Sequence, residues 1–178
     1  MIYVGLLRGI NVGGNNKVEM ARLKVTFEEL GHINVKTYIN SGNVIFQSDI
    51  TDLRALTQKI EAAIQKDFKL SIRVVLRNLK QIQDTAKAIP DSWQNNQEMK
   101  CDVMFLWDEI DNKNVLKELT IKPDCDEVKY IPGAIIWRVD KANVNKSGLL
   151  KIVGTPFYKQ VTIRNSNTVR KLLTLMQG

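Results

Sequence analysis

Between Leu7 and Val18 the chain reads Arg8-Gly9-Ile10-Asn11-Val12-Gly13-Gly14-Asn15-Asn16-Lys17: three glycines, three asparagines and a cation at either end. The run joins an apolar stretch of strand length, Ile2–Leu7, to a helical pattern over Glu19–Leu30. That placement suits anion chemistry, because backbone N–H groups at a helix start carry partial positive charge and glycines let the backbone come close to a ligand. The loop is not a P-loop: Gly9 and Gly14 have the spacing, but Asn15-Asn16 precedes Lys17 and no Ser or Thr follows it. It also fails the dinucleotide fingerprint. An ordinary flexible connection with a solvated Lys17 has the same composition, so the residues alone leave both readings open.

A second polar cluster, Asn40-Ser41-Gly42-Asn43, is a hairpin signal between Val35–Ile39 and Val44–Gln47. If the first two strands run parallel, the loop after Leu7 and this turn end on one rim. That rim collects Arg8, Asn11, Gly13, Gly14, Asn15, Asn16, Lys17, Asn40, Ser41 and Asn43 as candidate ligand contacts, with Arg164 as a charge added from the second half. These groups donate to an oxyanion or a nucleotide, and none is a catalytic acid, base or strong nucleophile. Ser41 has no histidine partner nearby. His32 follows Gly31 as a helix stop at the opposite rim, where its charge suits the helix end. Cys101, Cys125 and His32 cannot assemble a Cys/His zinc site, and no cofactor or metal is expected.

The elements that hold this rim follow from periodicity. Asp52–Phe68 reads as a helix through Leu53, Leu56, Ile60 and Ile64, with Thr51 or Asp49 as N-cap; Ser71–Leu76 is a strand, and Leu79–Ile89 a helix ended by Pro90. The order is βαββαβ with a trailing helix. The second half repeats it: strand Cys101–Trp107, short helix Asn112–Leu119, hairpin Glu127–Ile131 and Ala134–Val139, helix Lys146–Val153, strand Val161–Arg164 and closing helix Asn167–Met176. Tyr38–Phe46 matches Tyr130–Trp137 after one deletion, and Val74–Asn78 matches Val161–Asn165, with Asn78 and Asn165 as N-caps. The first copy carries about seven extra residues before its first helix, and these are the glycine-rich loop. The expected fold is α+β: two tandem ferredoxin-like domains (alpha-beta plaits), residues 1–92 and 98–178, joined by the polar linker Asp91–Lys100.

Composition excludes other classes. With 178 residues, 44% apolar and 25% charged, the chain can bury a real core, and no uninterrupted apolar run suits a membrane span. The net charge of +7 is unevenly placed: residues 141–178 hold Lys141, Lys146, Lys151, Lys159, Arg164, Arg170 and Lys171 and no acid, while the first 140 residues are neutral. This is the footprint of a nucleotide, nucleic acid or acidic partner, or else a face balanced by Asp108, Glu109, Asp111, Asp124, Asp126 and Glu127. Base stacking in the manner of RNA-recognition modules is disfavoured, since Asn43 and Ile45 stand where the third strand needs aromatics. Trp93, Trp107 and Trp137 read as packing residues.

Leu6–Gly14 and Thr37–Phe46, together with Thr162–Val169 and Lys171-Leu172, resemble the bacterial domain-of-unknown-function family 1697, departing at Ser166 where its pattern has Trp. The resemblance implies paired ferredoxin-like domains in a bacterial cytoplasmic protein and carries no catalytic assignment. The leading expectation is a basic protein binding a nucleotide, phosphorylated metabolite or nucleic-acid backbone at Arg8–Lys17. The alternatives are a metal-assisted enzyme acting on a phosphate ester, although the rim offers no carboxylate for Mg²⁺, and a protein–protein adaptor. No membrane partner is expected.

Overall fold

The computed structural model describes residues 1–178. It is an α+β chain with two four-stranded antiparallel sheets. The chain divides into two compact units, Met1–Ile82 with Leu172–Gly178, and Gln83–Lys171.

In the first unit, β1 (Ile2–Leu7), β2 (Ile33–Tyr38), β3 (Asn43–Gln47) and β4 (Val74–Asn78) lie in the order β2-β3-β1-β4. β1 and β2 are both antiparallel to β3, so they run parallel and end on one rim. α1 (Met20–Glu29) and α2 (Leu53–Phe68) place Leu23, Phe27, Leu56, Ile60 and Ile64 against Tyr3, Leu7, Phe46, Val74 and Leu76 of the sheet. The alternate residues Val4, Leu6, Ile45 and Val75 are buried too, so these strands are apolar on both faces. Asp52 caps α2, its Oδ1 accepting the Arg54 and Ala55 N–H groups at 3.0 and 3.1 Å. It does this in place of Thr51 or Asp49, because the helix starts one residue later than the apolar pattern suggests. α3 (Leu79–Ala88) follows β4 directly; Asn78 and Gln81 exchange side-chain caps at 2.9 Å in both directions.

The second sheet, β5 (Met99–Leu106), β6 (Asp126–Ile131), β7 (Ala134–Asp140) and β8 (Val161–Asn165), repeats the order as β6-β7-β5-β8. α4 (Ser166–Gln177) follows β8, with Asn165 Oδ1 accepting the Thr168 N–H at 2.8 Å. The connections differ from the first unit. The helices expected over Asn112–Leu119 and Lys146–Val153 are 3₁₀ turns, Lys113–Glu118 and Leu149–Ile152. Both segments are too short to sustain an isolated α-helix. Gly148 also presses its backbone on Thr120, where an added Cβ would lie 1.4 Å from the carbonyl oxygen, and Gly154 and Pro156 close the second segment.

Candidate functional site

The loop after β1 folds into a compact knot around Asn11. Its Oδ1 accepts the Val18 N–H at 2.9 Å, and its Nδ2 donates to the carbonyls of Val18 and Asn40, each at 2.9 Å. Asn11 has φ +54°, a left-handed conformation that asparagine tolerates better than most residues. Asn11 N–H reaches the Asn16 carbonyl at 3.1 Å, and Asn16 Nδ2 donates to the Gly9 carbonyl at 3.0 Å. Gly13 and Gly14, both at positive φ, turn the tip between Val12 and Asn15. The loop and the β2–β3 turn meet directly: Leu7 N–H donates to the Gly42 carbonyl at 2.8 Å. Gly42 has φ +81°, and a Cβ there would lie 2.7–2.8 Å from Ile10 and Leu7, so only glycine fits.

This knot leaves a groove at the start of α1. A cleft of about 420 Å³ is lined by Asn11, Gly14, Lys17, Glu19, Met20 and Asn40, among others. A second, of about 410 Å³, shares Asn11, Lys17, Val18 and Glu19 and extends to Arg22 and Phe68. No side chain caps α1; Leu23 is the first residue whose N–H meets an intrahelical carbonyl, that of Glu19, at 2.9 Å. The preceding N–H groups therefore face solvent at the positive end of the helix. Arg22 is held in place, its Nη2 donating to the Asp67 carbonyl at 2.5 Å and its guanidinium carbon 4.9 Å from the Phe68 ring centroid. Glu19 lines both clefts, and the sequence reading of the rim did not include it.

The structure sorts the candidate residues. Gly14, Lys17 and Asn40 are exposed and line the groove, Gly13 and Asn15 are exposed at the loop tip, and Arg8 and Ser41 are half-buried. Asn11 and Asn43 are occupied with the fold: Asn43 is fully buried, donating to the Tyr38 carbonyl at 2.9 Å and to Ser41 Oγ at 3.1 Å. Arg164 belongs to the second unit. It is buried on β8, donates to Thr162 Oγ1 at 3.0 Å and the Ile163 carbonyl at 2.8 Å, and burial pulls its pKa down to about 10. Arg22 and Phe68 were missed because they lie beyond the loop; the cation pointing outward from the first turn of Glu19–Leu30 was the available signal.

His32 does not act as a charged helix stop. It is buried, its ring 4.7 Å from Phe46 and 6.2 Å from Phe27, and its Nε2 has no partner. Burial, and then the charge of Lys59, lower its pKa. Tyr3 is likewise a core residue, 5.8 Å from Phe46 and hydrogen-bonded to the Ile50 carbonyl at 3.1 Å, so no base can stack on it.

The second unit repeats the joint. Leu106 N–H donates to the Gly133 carbonyl at 3.0 Å, and Asp111 takes the place of Asn11, accepting Gly133 N–H at 2.9 Å and Tyr130 O–H at 3.0 Å. A 3₁₀ turn at Asp108–Ile110 follows β5, so no long helix starts there. No cluster of three or more His, Cys, Asp or Glu side chains capable of holding a metal occurs in the chain. No helix is long and apolar enough to cross a membrane.

Two four-stranded antiparallel sheets of matching strand order and a glycine-rich loop over an uncapped helix define a class: an α+β protein with a polar groove at the start of α1. The chain belongs to the protein family of unknown function DUF1697, whose pattern matches residues 1–137. The match covers the loop and the β2–β3 turn and stops before the Thr162–Val169 motif. The chain is also similar to the conserved bacterial protein SP0830 of Streptococcus pneumoniae, with 29% identity, a TM-score of 0.84 and 98% of each chain covered. No curated protein matches it.

Proposed function

We propose that the protein is a tandem ferredoxin-like duplication, spanning residues 1–92 and 98–178, whose first copy binds a small anion in the groove at the start of α1. The ligand class is a nucleotide, a phosphorylated metabolite or a nucleic-acid backbone. The carrying observation is the groove itself: Gly14, Lys17 and the start of α1 at Glu19 and Met20, where no side chain caps the helix, border one open volume of about 420 Å³. Strand order β2-β3-β1-β4, repeated in the second sheet, supports the duplication. Two unpaired cysteines, Cys101 and Cys125, together with the bacterial relative, favour a bacterial cytoplasmic setting. Titration of the full chain with ADP, inorganic phosphate and a single-stranded oligonucleotide at low salt tests the reading. Saturable binding that weakens in Lys17→Ala supports it, and no binding by the wild-type protein overturns it. A preference for the oligonucleotide with steep salt dependence assigns the groove to a phosphate backbone.

Glu19 favours a second reading. A carboxylate beside Lys17 in the same groove gives a phosphate-bound Mg²⁺ one protein ligand, which is the minimum for metal-assisted chemistry on a phosphate ester. Phosphate-ester turnover that needs Mg²⁺ and is lost in Glu19→Gln would establish it.

A further inference from the structure

The two clefts at the start of α1 share Asn11, Lys17, Val18 and Glu19, so they are halves of one elongated groove. Their far ends differ in chemistry. One, of about 420 Å³, adds Gly14, Met20 and Asn40, with Lys17 as its only cation. The other, of about 410 Å³, adds Arg22 of α1 and Phe68 of α2, a second cation and the groove's only aromatic ring. An anion too small to span the groove fills the first end and leaves the second bare.

The second end is held in place by the fold. Arg22 Nη2 donates to the Asp67 carbonyl at 2.5 Å, which fixes the guanidinium with its carbon 4.9 Å from the Phe68 ring centroid. The Asp67 carboxylate does not neutralise it. That group accepts the hydroxyl of the buried Thr26 at 2.7 Å, and Arg22 forms no ion pair. Phe68 is half-buried and packs on the core of the first unit, so its ring is a fixed floor. A guanidinium held against an aromatic ring presents a flat, positively charged π surface, on which nucleobases stack. We propose that the groove binds a mononucleotide, with its phosphate at the Gly14–Lys17 end and its base stacked at the Arg22–Phe68 end. The proposal rests on the anion-binding reading of the same groove and selects among its ligands. A sugar phosphate would leave the Arg22–Phe68 surface unused. A nucleic-acid backbone needs a track of cations, and the groove has two, one of them stacked on a ring.

The test titrates the full ¹⁵N-labelled chain at low salt with AMP, ribose 5-phosphate, inorganic phosphate and a single-stranded oligonucleotide. AMP and ribose 5-phosphate carry the same phosphate, so the difference between them isolates the base. AMP should bind at least about fivefold more tightly than ribose 5-phosphate and shift the Arg22 and Phe68 amides. Arg22→Lys keeps the charge and loses the plane, and Phe68→Leu keeps an apolar side chain and loses the ring. Each should bring AMP down to the level of ribose 5-phosphate, with amide spectra away from the groove unchanged to show that the variant is folded. Equal binding of AMP and ribose 5-phosphate by the wild-type protein overturns the proposal and leaves the anion site standing. An AMP advantage that survives both substitutions also overturns it, by placing the base elsewhere. Tighter binding of the oligonucleotide than of AMP overturns it in favour of a nucleic-acid track. No binding of any of these probes overturns the anion reading itself, and this proposal with it.

Discussion

Asn11 and Val18 exchange two hydrogen bonds, side-chain Oδ1 to backbone N–H and side-chain Nδ2 to backbone carbonyl, each at 2.9 Å. A single amide thus mimics a strand partner and closes the loop that borders the groove. The same Nδ2 reaches Asn40 on the neighbouring turn.

Asn11→Ala removes these three bonds and leaves partly buried backbone groups to find other partners. Stability should fall by about 1–3 kcal/mol, measured by urea denaturation. Any anion affinity should fall with it, because the loop that presents Lys17 loses its staple. A variant as stable as the wild-type protein would show that the loop does not need Asn11.

Gly42→Ala should be destabilising twice over. The new Cβ would press on Ile10 and Leu7 at under 3 Å, an overpacking cost of about 1–3 kcal/mol, and a left-handed residue other than glycine costs about 1–2 kcal/mol more. Thermal unfolding of this variant should begin in the first unit, seen as early loss of amide protection in β1 and β3.

Glu19→Gln separates the two functional readings. Removing the carboxylate from a groove that holds an anion should strengthen binding by about 0.5–1 kcal/mol, or roughly two- to fivefold, at low salt. A metal-assisted phosphate site would respond in the opposite direction.

His32 predicts a pH dependence. Burial lowers its pKa below the ordinary 6.5, so the unfolded chain takes up the proton first as pH falls. Stability should be constant above about pH 6.5–7 and decline below it, until the folded state also protonates. His32→Phe, placed among Phe27 and Phe46, should flatten urea midpoints between pH 7.5 and 5. An unchanged slope in that variant would assign the dependence to other groups.

Asp126 behaves oppositely. Burial works against its ionisation, but hydrogen bonds from Ser147, Gly148 and Lys122 outweigh it and hold its pKa below the ordinary 3.8. Its contribution is present above about pH 4 and lost as pH falls through the lower folded value. Asp126→Asn should loosen the Ser147–Val153 turn, read as faster amide exchange there at pH 7, with the first unit unaffected.

Much of this arrangement was legible in the residues. Short apolar runs between helical patterns placed the strands, because strands covered on both faces are apolar at successive positions. The meeting of the glycine-rich loop with Asn40–Asn43 also followed, since two strands antiparallel to a common neighbour end together. The helices of the second half did not follow: apolar spacing at Leu149 and Ile152 satisfies an α-helix and a 3₁₀ turn alike over so short a segment.

Which polar residues remain for a ligand was decided only in three dimensions. Asn11, Asn15 and Asn43 are the same residue type, yet Asn11 and Asn43 spend their amides on carbonyls while Asn15 projects its side chain to solvent. Glu19, Arg22 and Phe68 join one groove although Phe68 is distant in sequence. The sequence by itself determined the α+β elements and the place of the glycine-rich loop between β1 and α1, because burial periodicity is local. The tertiary structure decided which donors that loop leaves open, because a hydrogen bond satisfied across 29 residues, as from Asn11 to Asn40, depends on where the backbone returns.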